Sequence, residues 1–121
     1  MYFKALPHLE VHLMTGLSQT TYLCYSPVMP EIISIGECFF ELFTLDPLNA
    51  DARFTKGFSG DTLNVLTMAS RLGTSTGYIT KVSDDPIGDY LLECWYNLGI
   101  DTSQVKQTRG YNAFQFASSE P

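Results

Sequence analysis

The sequence predicts an α/β domain built on a mainly parallel sheet, and two observations carry that prediction. From residue 31 onward, β-branched and aromatic runs alternate with amphipathic stretches in the order strand, loop, strand, helix, strand, helix, strand, which is the arrangement of β-α-β units. Each helical stretch also carries its own start and stop chemistry. The composition agrees: of 121 residues, 45% are hydrophobic and 17% charged, enough apolar material for one core and for at most one domain.

The elements follow in order. Glu31 to Phe43 reads as one buried strand, with Ile32, Ile33 and Ile35 before a bend at Gly36, and Phe39, Phe40, Leu42 and Phe43 after it. Leu45 to Asp51 holds Asp46-Pro47 and Asn49, which is turn chemistry, and Ala52 to Phe58 is a short strand closed by Ser59-Gly60-Asp61. Asp61 to Leu72 is a helix whose Val65, Met68, Ala69 and Leu72 recur at i, i+3, i+4 and i+7. Leu63 and Leu66 widen its apolar face, so the helix is expected to be largely buried. Asp61 suits its N-terminal dipole and Gly73 its end. Gly77 to Val82 is the next strand. Asp85 then serves as N-cap and Pro86 as first helical residue of a helix carrying Ile87, Tyr90, Leu91, Cys94 and Leu98 on one face and stopping at Gly99. Tyr111 to Ala117 closes the run as an alternating strand.

Charge narrows the partners. The chain has 13 acidic and 7 basic residues, a net charge of -6, and its cations are scattered, which argues against nucleic acid. No apolar run approaches the ~18 residues of a membrane span. Cys24, Cys38 and Cys94 form no C-x-x-C pair and no disulfide framework, and no secretory signal is visible, so a cytoplasmic location is expected. Residues 1–28 differ from the rest: they show no sustained period, and the composition breaks at Met29-Pro30-Glu31. They are expected to be an upstream extension or an unstructured arm, with residues 29–121 forming the domain. The two histidines in His8-Leu9-Glu10-Val11-His12 lack the Glu directly after the first His that zinc-peptidase chemistry needs, so no metal site is expected there.

Parallel sheets bind ligands beyond the carboxyl ends of their strands, which points to Gly36 and Glu37 and to Ser59, Gly60 and Asp61. The backbone N–H groups at the start of the first helix could hold an oxygen-rich ligand. Taken alone, Gly60 merely permits a turn and Asp61 merely caps a helix. Asn64, a poor helix former one turn further on, offers both donor and acceptor toward the same volume.

Five blocks then stand in order: Ile33-Ser34-Ile35-Gly36-Glu37-Cys38-Phe39-Phe40-Glu41-Leu42, Phe58 to Asn64, Ala69-Ser70-Arg71-Leu72-Gly73, Lys81-Val82-Ser83-Asp84-Asp85-Pro86-Ile87-Gly88 and Gly99-Ile100-Asp101-Thr102-Ser103. Together they resemble the N-terminal part of PfkB/ribokinase-like carbohydrate kinases, in the branch of 2-keto-3-deoxygluconate kinases. The resemblance implies an incomplete ribokinase-like, Rossmann-like α/β fold with a small β-sheet lid. It implies a sugar site in which Glu37 and Glu41 flank the sugar, Gly60 and Asp61 form the glycine-rich turn, and Asn64 binds sugar hydroxyls. It also implies ATP and Mg2+ for the full-length enzyme, and a homodimer through lid strands. The family's catalytic aspartate, anion-hole glycines and adenine pocket belong to its C-terminal half, so no catalytic residue and no ATP or Mg2+ ligand is expected here, and the chain alone is expected to be inactive. A stand-alone sugar-binding or dimerisation module, and another PfkB hexose or nucleoside kinase, are the alternatives.

Three positions depart from the family pattern. Ser59 replaces the first glycine of the turn, Leu66 a small residue, and Ser83 the glycine before the paired aspartates. Extra volume at Ser59 is expected to narrow the sugar pocket. Phe116-Ala117-Ser118-Ser119 also lacks the arginine that ketodeoxygluconate kinases tend to place after the closing lid strand for the substrate carboxylate.

Overall fold

The structure, a computed structural model, describes residues 9–15, 21–27, 29–49 and 51–119. The chain divides into two units, Met1–Pro30 and Glu31–Pro121. In the first, β1 (Leu9–Thr15) pairs antiparallel with β2 (Thr21–Pro27), in register from Leu9 opposite Pro27 to Thr15 opposite Thr21. Backbone pairing thus exists where the side-chain pattern shows no period. His8 of the His8/His12 pair lies outside the described residues.

In the second unit, β3 (Ile32–Ile35), β6 (Thr76–Ile79) and β8 (Ile100–Asp101) form a parallel sheet in the order β3-β6-β8. A second sheet has the order β10-β4-β5, where β4 (Phe39–Thr44) lies antiparallel to β5 (Thr55–Ser59) and parallel to β10 (Ala113–Ser118). β7 (Lys81–Ser83) pairs parallel with β9 (Lys106–Thr108). Helices α1 (Asp61–Arg71) and α2 (Pro86–Asn97) complete the α/β unit.

The single bent strand expected over residues 31–43 is two strands in two different sheets. The chain leaves the parallel sheet at Gly36, whose N–H still donates to the Ile79 carbonyl at 3.4 Å. A side chain at Gly36 would run into Thr62, so glycine is what lets the strand pass against α1. Nor is β3 buried as expected. Among the described residues it pairs only with β6, and Ile35 is 72% exposed. The strand expected over 77–82 is also divided, into β6 and β7. β8 and β9, two and three residues long, are too short to leave a period in the sequence.

The expected inward stripe of α1 faces the other way. Val65, Met68 and Leu72 are 61%, 55% and 80% exposed, while Leu63, Leu66 and Thr67 are buried. Both stripes satisfy a 3.6-residue period, and packing selects the one that meets Tyr78, Leu91, Trp95 and Ile100 in the core. Tyr78 and Trp95 meet there edge to face, with ring centroids 5.2 Å apart.

α2 follows the sequence reading closely. The Asp85 carboxylate accepts from the Ile87 and Gly88 N–H groups at 2.9 Å each, and Pro86 occupies the first turn. Hydrogen bonds to Asp85, first from Ser83 and then from the Gly88 amide, hold its carboxyl below the usual carboxylate range. The helix ends before Gly99, whose φ of 78° favours glycine.

The reversed face of α1 gives a direct test. Leu66→Ala empties a fully buried site and is expected to cost about 2–5 kcal/mol in urea denaturation. Met68→Ala is expected to cost less than about 1 kcal/mol. Equal losses would restore the stripe read from the sequence.

Candidate functional site

The site grows from the joint between β3 and β4. The Tyr78 hydroxyl donates to the Glu37 carbonyl at 2.6 Å and lies 3.2 Å from the Gly36 carbonyl. Thr80 Oγ1 donates to the same Gly36 carbonyl at 2.7 Å. Two carbonyls of a tight loop are thereby satisfied from inside the molecule, which fixes where Glu37 leaves the sheet. Burial, reinforced by the Cys38 thiol and Glu37 carboxylate and opposed by Thr80 and Thr62, pushes the Tyr78 hydroxyl up to about 12. Burial likewise raises the Cys38 thiol, which keeps it protonated and chemically quiet.

Gly60 sits against this joint. Its φ of 152° is one that side-chain-bearing residues rarely adopt, and a Cβ there would stand 2.5 Å from the Glu37 carbonyl oxygen. Gly60 therefore lets α1 begin directly beside the loop. No side chain caps the helix in the usual way. Instead the Asp61 N–H donates to Glu37 Oε1 at 3.4 Å, a long bond that leaves the first-turn amides open to an oxygen-bearing ligand.

The predicted residues fall into two groups. Glu37, Gly60 and Asp61 come together at the start of α1. Asn64 stands one turn on, its N–H bonded to the Gly60 carbonyl at 2.8 Å and its exposed side chain making no hydrogen bond among the described residues. Glu41 belongs to the β10-β4-β5 sheet, opposite Gly57 on one side and Gln115 on the other. The absent side chain at Gly57 leaves space there: a Cβ would stand 3.6 Å from Glu41 Oε2.

Two further residues escaped the sequence reading as a pair. The Ser59 hydroxyl donates to Gln115 Oε1 at 2.8 Å, linking β5 to β10 across β4. The signal was present: Gln115 is the polar residue between Phe114 and Phe116, on the face it shares with Glu41. The opposite face is aromatic, with Phe40 edge-on to Tyr90 and Phe114 at centroid distances of 5.6 and 5.4 Å. Two open cavities, of about 710 Å³ beside Asp46 and Arg53 and about 190 Å³ beside Lys81 and Arg109, lie on other residues.

This arrangement, a three-stranded parallel sheet and a second three-stranded sheet whose β5 leads directly into α1, is shared with solved sugar kinases. A PfkB protein from Polaromonas sp. JS666 superposes with a TM-score of 0.69 at 31% identity, over 77% of this chain and 32% of its own. A sugar kinase from Pyrococcus horikoshii, solved in complex with ATP, gives a TM-score of 0.65 at 30% identity, over 74% of this chain and 31% of its own.

The family itself is settled by sequence. Residues 29–115 match the pfkB family carbohydrate kinases, and the chain belongs to that family. Among curated relatives, the 5-dehydro-2-deoxygluconokinase of Clostridium botulinum (strain Eklund 17B / Type B) is 38% identical over 79 residues, 63% of this chain and 23% of that protein. That of Clostridium beijerinckii is 34% identical over 82 residues, 65% of this chain and 24% of that protein. The chain thus spans about a quarter of the length of these relatives. Their names place the likeness among kinases of keto-deoxygluconates, the branch expected from the sequence blocks. The 2-dehydro-3-deoxygluconokinase of Thermotoga maritima, at 20% identity and a TM-score of 0.64, shares the fold.

The Tyr78 joint carries a pH signature. Its hydroxyl is raised from 10.0 to about 12 in the folded chain, so its contribution is complete below pH 10 and fades as pH climbs toward 12. Tyr78→Phe is expected to lose about 1–3 kcal/mol at neutral pH and to show a shallower alkaline decline of urea midpoint than the parent. Parallel declines in the two proteins would remove Tyr78 from this role.

Proposed function

We propose that residues 29–121 form the N-terminal, sugar-binding part of an ATP-dependent sugar kinase acting on a keto-deoxygluconate. The observation that carries the reading is the joining of Glu37, Gly60 and Asp61 at the open N-terminus of α1, with Glu41 on the adjoining sheet. In this reading Glu37, Glu41 and Asp61 accept hydrogen bonds from sugar hydroxyls, Asn64 donates and accepts, and Gly60 gives the ligand close access to helix amides. The names of the curated relatives favour 5-dehydro-2-deoxygluconate over 2-keto-3-deoxygluconate as the first substrate to try.

ATP and Mg2+ belong to the full-length enzyme in this reading. The family resemblance assigns their ligands to its C-terminal half, and the residues of this chain are given no part in holding them. No phosphoryl-transfer step is therefore routed through them. Their part is to bind and orient the acceptor sugar, which in phosphoryl transfer is a large share of the catalysis.

The β10-β4-β5 sheet is also the proposed dimer contact. Among the described residues β10 pairs only with β4, and Phe114 and Phe116 lie exposed along it. The family match beginning at Met29 supports treating residues 1–28 as an extension outside the kinase domain. Free Cys38 and Cys94 suit the reducing cytoplasm proposed for the protein, and no described helix is long and apolar enough to cross a membrane.

An ATP-consumption assay with both keto-deoxygluconates tests the reading. The isolated 121 residues are expected to show no turnover, whereas the complete gene product phosphorylates one of them and loses roughly fivefold or more in KM on Asn64→Ala. Turnover by the isolated chain, or an Asn64→Ala enzyme with unchanged KM, would contradict it.

A further inference from the structure

The faces that meet at the candidate site are rich in acceptors and poor in donors. Glu37, Glu41 and Asp61 are carboxylates, which accept hydrogen bonds and do not donate them. They suit hydroxyls, each of which can give a proton. A ketone or carboxylate oxygen is different, because it only accepts and must be met by an N–H or O–H. On the β10-β4-β5 sheet the hydroxyl of Ser59 is already committed to Gln115 Oε1 at 2.8 Å. That bond has a second effect. It occupies the amide oxygen of Gln115 and leaves the two Nε2 hydrogens, which make no hydrogen bond among the described residues, as unspent side-chain donors beside Glu41.

Register places that donor. Gln115, Glu41 and Gly57 form one row across β10, β4 and β5, and the Glu41 carboxylate reaches over Gly57, where an added Cβ would stand 3.6 Å from its Oε2. Ser59 leads straight into Gly60 and the start of α1, so the hydrogen bond ties the orientation of the Gln115 amide to the turn that begins the helix. An unrestrained glutamine could present either end of its amide. Here the serine hydroxyl donates to the oxygen, and the nitrogen is the end left without a hydrogen bond among the described residues.

We propose that Gln115 is a specificity-determining residue that reads an acceptor-only oxygen of the substrate, a ketone or a carboxylate, and that Ser59 positions it. This rests on the sugar-binding reading above and deepens it. It also gives the serine, at a position where the family resemblance leads one to expect glycine, a chemical purpose beyond added volume.

The test is a ¹H–¹⁵N NMR titration of the 121-residue chain with three probes: 5-dehydro-2-deoxygluconate, 2-deoxygluconate, which keeps the carboxylate and has a hydroxyl in place of the ketone, and fructose, which has no carboxylate. The Gln115 side-chain amide is expected to shift together with the Gly60 and Asn64 backbone amides on addition of the keto acid. Gln115→Glu keeps the shape and the acceptor for Ser59 but removes the donor and adds a negative charge, so it is read beside the uncharged Gln115→Met, and a loss against fructose counts only where both variants show it. Gln115→Glu is expected to weaken the keto acid roughly fivefold or more relative to the probe that lacks the oxygen being read. Loss of selectivity against 2-deoxygluconate assigns Gln115 to the ketone, and loss against fructose assigns it to the carboxylate. Ser59→Gly, which removes the hydroxyl at the last residue of β5, is expected to give a smaller loss in the same direction. Shifts at Gly60 and Asn64 without any at Gln115, or a Gln115→Glu chain with unchanged selectivity, overturn this inference and leave the sugar-binding reading standing. A folded chain with no shift at any of the three positions overturns both.

Discussion

One buried hydroxyl organises the α/β unit. Tyr78, on the middle strand of the parallel sheet, donates into the loop where β3 ends, at 2.6 Å from the Glu37 carbonyl. Without that donor the chain would have to leave the sheet with a carbonyl facing the protein interior unpaired, at a cost of about 1–3 kcal/mol. With it, the loop is held rigidly enough that Gly60 can approach within a distance no other residue would allow, and α1 starts beside the sheet's exit. Tyr78 is also core: its ring meets Trp95 of α2 edge-on. The same side chain thus ties hydrophobic packing to the placement of polar groups.

The chemistry of the site follows from that placement. A helix whose first amides lack a conventional cap needs oxygen atoms, and Glu37 supplies one only at the long distance of 3.4 Å. A sugar, dense in hydroxyls, is a suitable completion. The second sheet brings Glu41 and the Ser59–Gln115 pair to its polar face, while its aromatic face packs through Phe40 against Tyr90. The chain's net charge of -6 gives no help to an anionic substrate, so binding rests on local donors. In the proposed reading, α1's amides, Asn64 and Gln115 would supply them.

Much of this was legible in the sequence, and its limits are physical. The α2 boundaries followed from Asp85, Pro86 and Gly99 because capping is local chemistry. The class of fold followed from the alternation of elements. The face of α1 did not, because Val65/Met68/Leu72 and Leu63/Leu66 both satisfy helical spacing, and only the positions of Tyr78, Leu91 and Trp95 decide between them. The break between β3 and β4 was hidden because a glycine bend and a change of sheet look alike in a linear string. That Glu37, Gly60 and Asp61 would lie near one another was legible because a strand end and a helix start are readable signals. Ser59 and Gln115 were missed as partners because they lie 56 residues apart, and nothing local announces a bond across three strands.

Hydrogen exchange in Tyr78→Phe examines the organising role most directly. The Gly36 N–H, bonded to Ile79 at 3.4 Å, and the Asn64 N–H, bonded to Gly60 at 2.8 Å, both depend on the joint, whereas the Leu98 N–H, bonded to Cys94 at 3.2 Å, belongs to the end of α2. If the hydroxyl holds the joint, protection falls at Gly36 and Asn64 by more than at Leu98. A uniform fall at all three amides would show that Tyr78 contributes only to global stability and would contradict the account.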